Sequence, residues 1–130
     1  MPSPIRAPAP PLAGKPLPFS ECVRVGDLLF ISGQIGHRPG TRELAPGGIA
    51  AETKQAMDNL GAVLARQGAS FADVVKVVVM MADMSEWDTM NAVYMHYFAP
   101  DALPARSAFG ASSLALGARL ELEAIAVAPR

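Results

Sequence analysis

A single cysteine, Cys22, stands in the whole chain, so no internal disulfide can form. With no second thiol and no evident base beside it, it is expected to pack as a small hydrophobe rather than serve as a nucleophile. Basic runs are missing too. Eleven Lys and Arg face twelve Asp and Glu, for a formal charge of -1, which provides no positive field to neutralise phosphates and argues against a nucleic-acid partner. Histidine is scarce: His37 falls in a Gly/Pro-rich loop and His96 opposite the apolar stripe of its helix. Neither has a Cys or carboxylate at ligand spacing, so no metal is expected. The strongest apolar run, "VVVMMA", is bracketed by Lys76 and Asp83 and is far shorter than the roughly 18 residues of a membrane span. The start "MPSPIRAPAPPLAGK" has no apolar core of a secretory signal. Phosphate loops, nucleophile elbows and dinucleotide glycine patterns are absent as well. The expectation is a soluble cytoplasmic protein with no metal, membrane or nucleic-acid partner.

What is present amounts to one domain: 130 residues, 51% hydrophobic and 18% charged, are enough to bury a single core. Seven of the twelve prolines lie in the first 18 residues, so residues 1–18 are expected to form an extended or mobile tail, with the fold spanning 19–130 and beginning near Phe19. "CVRV-GD-LLFISG" reads as two strands around a Gly-Asp turn. Beyond the loop "GHRPGTRELAPGG", Ile49, Thr53, Ala56, Met57, Leu60, Val63 and Leu64 recur at helical spacing before Gly68. "DVVKVVVMMAD" reads as a strand buried on both faces. Ser85 and Asp88 resemble a capping box, opening a helix with Trp87, Met90, Tyr94, Tyr97 and Phe98 inward. Two apolar runs around "LALGAR" then read as a closing hairpin. The order ββαβαββ predicts an α+β sandwich of one mixed sheet with two helices on one face. Two helices cover only one face, so the other is expected to be buried in a homo-oligomer, with sites at subunit boundaries.

Three groups could carry chemistry. Arg106, at the mouth of an apolar strand, suits a planar carboxylate; alternatively it pairs with Glu121 or Glu123. Asn91, one turn beyond Trp87, either caps a loop or meets a substrate. Glu121 and Glu123 share a face with Ile125 and Val127, so one of them is a candidate proton relay, or both neutralise Arg106.

The stretches "RVGDLLFISGQIG", "ETKQAMDNLGAVLARQGASFADVVKVVVMMADM", "MNAVYMHYF" and "PARSAF…LELEAIAV" resemble, in order and spacing, the signature of the RidA/YjgF family of reactive-intermediate deaminases, over residues from about Pro18 to Val127. The resemblance implies a chorismate-mutase-like fold, a homotrimer with a cleft between each pair of subunits, and hydrolysis of enamine and imine intermediates (2-aminoacrylate and 2-imino acids) to 2-keto acids and ammonia without a cofactor. It also implies that Arg106 holds the substrate carboxylate, that Glu121 acts on the attacking water, and that Ser32, Gly33 and Asn91 line the site. Three positions depart from the family pattern: Phe19 stands where many relatives have tyrosine, with Glu21 for a nearby glutamine, and Ala108 replaces a larger residue. The changes at Phe19 and Ala108 imply a preference for imines of larger apolar amino acids. The competing expectations are a non-catalytic module that binds 2-keto acids, and a ribonuclease or translation inhibitor, which an acidic chain suits poorly.

Overall fold

The computed structural model describes residues 2–129. Six strands, β1 (Ile5–Pro8), β2 (Ser20–Val25), β3 (Leu28–Gln34), β4 (Val74–Met81), β5 (Ala105–Gly110) and β6 (Leu120–Val127), alternate with two helices, α1 (Gly48–Arg66) and α2 (Trp87–Tyr94). They form one sheet in the order β1-β2-β3-β6-β4-β5, antiparallel except for the β4–β5 pair. The architecture is the expected α+β class. Among the described residues no helix is long and apolar enough to cross a membrane.

Two expectations about the strands are corrected. The proline-rich segment is extended, but it is part of the sheet: Ile5 pairs with Arg24 and Ala7 with Cys22, so ordered pairing starts well before Phe19. Prolines are tolerated there because β1 is an edge strand that needs hydrogen bonds on one side only. Nor do β5 and β6 make a hairpin. The β4–α2–β5 connection crosses over the helical layer, which makes β5 parallel to β4, and β6 then pairs with the other side of β4. Val77 accordingly lies between Arg106 and Ala124, and Met80 between Phe109 and Glu121. "LALGAR" is a wide loop whose short 3-10 turn has Leu116 at φ 57° and Gly117 at φ 70°.

One face of the sheet receives both helices. The α1 stripe Ile49, Thr53, Ala56, Met57, Leu60, Val63 and Leu64 is buried as its spacing predicts, against Val77, Val79, Met81, Leu120 and Leu122, all with no exposed surface. Gly68, at φ 73°, ends the helix in the left-handed conformation that only glycine adopts cheaply. The turn ahead of α2 is capped by Asp83, not by a Ser85–Asp88 box: its carboxylate accepts the Ser85 N–H at 2.9 Å and the Ser85 hydroxyl at 2.7 Å. One oxygen of the Asp83 carboxylate takes both donors, and its charge strengthens each bond. Buried Arg24 ties the layers together, donating to the carbonyls of Ala128 at 2.6 Å, Gln67 at 3.2 Å and Gly26 at 3.3 Å.

The opposite face has no covering layer in the single chain. Phe30 is 42% exposed and Phe109 49%, and Leu28 and Val127, paired across β3 and β6, continue the same apolar surface. Thus β4, which reads as buried on both faces, is sealed only toward the helices.

Candidate functional site

The residues singled out from the sequence fall into two groups on opposite faces of the sheet. Register decides this. Arg106 pairs with Val77, which belongs to the helix-covered core, so Arg106 and Ala108 point toward the helices; Glu121 pairs with Met80 and points away. Arg106 and Glu121 lie on strands two spacings apart, roughly 10 Å, with the sheet between them. Direct neutralisation of Arg106 by Glu121 or Glu123 is therefore ruled out within one chain. Among the described residues Arg106 has no ion-pair partner; the paired cations are Arg38, Lys54, Arg66 and Arg119.

The first group is built on α2 and β5. The Arg106 guanidinium carbon lies 5.0 Å from the centroid of the Trp87 ring and 4.8 Å from that of Tyr94. Asn91 occupies the same helical stripe, one turn from each ring. It caps nothing: its amide oxygen is buried without a hydrogen-bond partner, as is the Tyr94 hydroxyl. Burial pushes the Tyr94 phenol up from its ordinary value, partly countered by the positive charge of Arg106 and by its guanidinium N–H groups lying toward the phenol oxygen. A free guanidinium and an unsatisfied buried acceptor leave a place for a ligand with an acid group and a donor. Trp87 and Tyr94 read from the sequence as core residues; the signal that they also approach Arg106 together with Asn91 is that Trp87, Asn91 and Tyr94 follow one another at four and three residues.

The second group is built on β3 and β6. Pairing of Ile31 with Ala124 and of Gln34 with Leu122 leaves an extra residue in β3, a bulge that re-aims Gly33. A Cβ at Gly33 would overlap the Glu121 carboxylate, so that side chain lies across a strand stripped bare to admit it. Burial, and after it the charge of Glu123, push the Glu121 carboxyl above its ordinary value. Beside it, Ser32 donates its hydroxyl to the Ser20 carbonyl at 2.6 Å, so its own proton is committed to joining β2 and β3. Phe19, half exposed, shares with Gly33 a cleft of about 200 Å³ walled by the proline-rich segment and α1. Glu21, the other departure from the family pattern, is buried in a two-pronged pair with Arg66, at 2.8 Å for each contact. It is structural here, as is buried Glu52, which accepts the Arg119 N–H at 2.9 Å. Cys22 is buried, and burial raises its thiol above the ordinary value, which keeps the less nucleophilic form.

Residues 12–128 match the sequence model of the family described as Endoribonuclease L-PSP. The chain is 46% identical over 110 residues to the 2-iminobutanoate/2-iminopropanoate deaminase of Mus musculus, a match covering 85% of this chain and 81% of the relative. It is 42% identical over 115 residues to a RutC family protein of Pyrococcus abyssi, covering 88% and 90%. Among solved structures, RidA from an Antarctic Psychrobacter superposes with a TM-score of 0.81 at 34% identity, covering 94% of each chain. The chain belongs to the Endoribonuclease L-PSP family, the RidA/YjgF family that its motifs resemble.

Proposed function

We propose that the protein hydrolyses 2-imino acids, and the enamines that tautomerise to them, to 2-keto acids and ammonia. The observation that carries this reading is Arg106, held against two aromatic rings with no carboxylate of its own, in a chain 46% identical to an imine deaminase. The two groups of residues meet if each cleft takes Arg106, Asn91 and Ala108 from one subunit and Phe19, Ser32, Gly33 and Glu121 from its neighbour. A chorismate-mutase-like homotrimer, with the uncovered sheet faces turned inward, would provide such clefts, and the exposed Phe30 and Phe109 support it. Sedimentation at micromolar concentration is expected to give a trimer; a monodisperse monomer or dimer would contradict the composite site.

In this site Arg106 anchors the acid and Glu121 accepts a proton from the water that adds to the carbon of the N-protonated imine, the iminium. The same carboxyl then returns that proton to the nitrogen of the carbinolamine. The C–N bond breaks as the hydroxyl oxygen forms the ketone, and the hydroxyl proton leaves with ammonia as ammonium. An iminium carbon is already electrophilic, so orientation and one proton relay suffice. The test is a coupled assay in which a dehydratase generates the imine and keto-acid formation is followed with and without the protein. Binding of keto acids without acceleration, across several amino-acid precursors, would leave a non-catalytic module instead.

A pH profile examines the relay. Glu121 acts on water only when ionised, and its folded-state pKa is raised, so the acid limb of kcat/KM is expected above that of an ordinary glutamate. Glu123→Gln removes one of the two causes of the rise and should move the limb to lower pH. The shift should be partial because burial is the larger cause. A limb unmoved by Glu123→Gln and abolished by no change at Glu121 would place the relay elsewhere.

Substrate preference follows from Phe19 and Ala108. Loss of a hydroxyl removes a partner worth about 1 kcal/mol to a polar ligand, and the small Ala108 beside Arg106 leaves room for a methylene or two. Imines of leucine or methionine should be turned over faster than that of serine. Phe19→Tyr should raise activity on the small imine and Ala108→Val depress it on large ones, as read by kcat/KM for each.

A further inference from the structure

We infer that Trp87 and Tyr94 are positioning residues for this reaction, an aromatic clamp that closes both faces of the Arg106 guanidinium and leaves its in-plane N–H edge for the substrate carboxylate. The inference rests on the reading above that Arg106 takes the carboxylate. Seven residues of α-helix separate the two rings by two turns, roughly 10 Å along the axis. The guanidinium carbon lies 5.0 Å from one centroid and 4.8 Å from the other, within cation–π reach of both rings at once. The electron-rich ring faces attract the cation. A carboxylate needs two parallel N–H groups in the guanidinium plane, which is the direction that a clamp on the two faces leaves open. The buried Asn91 oxygen without a partner lies on the stripe between the rings, an acceptor left unsatisfied where ordinary core would hold none.

Simple packing explains Tyr94, which is only 3% exposed, but not Trp87, which is half-buried and lies at the very start of α2. Nor does packing explain why an arginine with no carboxylate partner turns inward toward two rings instead of out into water. Fixed by the rings, Arg106 loses less freedom when ligand arrives, so the clamp should act on affinity for the acid group and not on the proton relay.

The chain has one tryptophan, so the clamp carries its own reporter. Titration of the wild-type protein with 2-oxobutanoate should change Trp87 fluorescence saturably, and Arg106→Ala should abolish that change. In steady-state assays Trp87→Leu should raise KM about tenfold with kcat within about twofold, whereas Trp87→Phe and Tyr94→Phe, which keep a ring face, should stay within about twofold of wild type in both. The clamp is overturned if 2-oxobutanoate binds by calorimetry without altering Trp87 emission in the unmodified protein. It is equally overturned if Trp87→Leu keeps its KM, or if Trp87→Phe is as impaired as Trp87→Leu. Full activity in Arg106→Ala would instead remove the carboxylate anchor itself, and the clamp with it.

Discussion

Arg106→Ala should lower kcat/KM for every 2-imino acid by about a hundredfold to ten-thousandfold, whatever the length of the substrate side chain. Two charge-assisted hydrogen bonds are lost together, each worth about 1.5–3 kcal/mol, and every 1.4 kcal/mol is a factor of about ten. The acid group is common to all substrates, so the loss is uniform. Arg106→Lys should fall between, because an ammonium keeps the charge but cannot fill the slot between two rings with a planar fork. The fold should survive both changes: Arg106 has no ion-pair partner among the described residues, so its removal strands no carboxylate, and the melting temperature should move by only a few degrees. Steady-state kinetics on a short and a long imino acid, beside a thermal melt, check this. A loss confined to one substrate would mean that Arg106 shapes the side-chain pocket instead of gripping the acid.

The same residue shows what the sequence could and could not convey. Motif order singled out Arg106, Asn91 and Glu121 as candidates, and the helical stripe of α1 was legible from its period, since every residue named in it is buried. Strand neighbours were not legible. Apolar runs on either side of "LALGAR" look alike whether they form a hairpin or receive a third strand between them, because each strand's alternation records its own faces and not its partner. With β4 inserted, Arg106 and Glu121 lie on opposite faces of the sheet, so the apparent ion pair becomes, in the proposed composite cleft, two half-sites. The edge strand Ile5–Pro8 was hidden for a related reason: prolines signal extended chain, and extension is compatible with a tail or with an edge. Glu21, read as a lost glutamine, owes its identity to Arg66 on α1, a contact 45 positions away that no local pattern encodes.

Gly33→Ala should cost nearly as much activity as Glu121→Gln while leaving the protein folded. At Gly33 the backbone lies outside the left-handed region that favours glycine, so alanine introduces no backbone strain. The atoms nearest the added methyl all belong to the Glu121 side chain, from its Cγ outward, which is flexible and can swing away at small cost in stability. Swinging away is the damage, since a carboxylate that must aim at one water loses its function when displaced by about 1 Å. General acid–base groups contribute about 10²- to 10⁴-fold, so kcat should fall by about two orders of magnitude in both variants, with KM little changed because the carboxylate anchor Arg106 lies in the other half-site. Gly36→Ala is the contrasting control: a Cβ there would strike the backbone of Glu52 in α1, which cannot swing aside, so that variant should lose stability as well. Matched kinetics and thermal melts of the three variants decide the matter. A Gly33→Ala protein with wild-type kcat would show that the position of the Glu121 carboxylate over β3 is incidental to turnover.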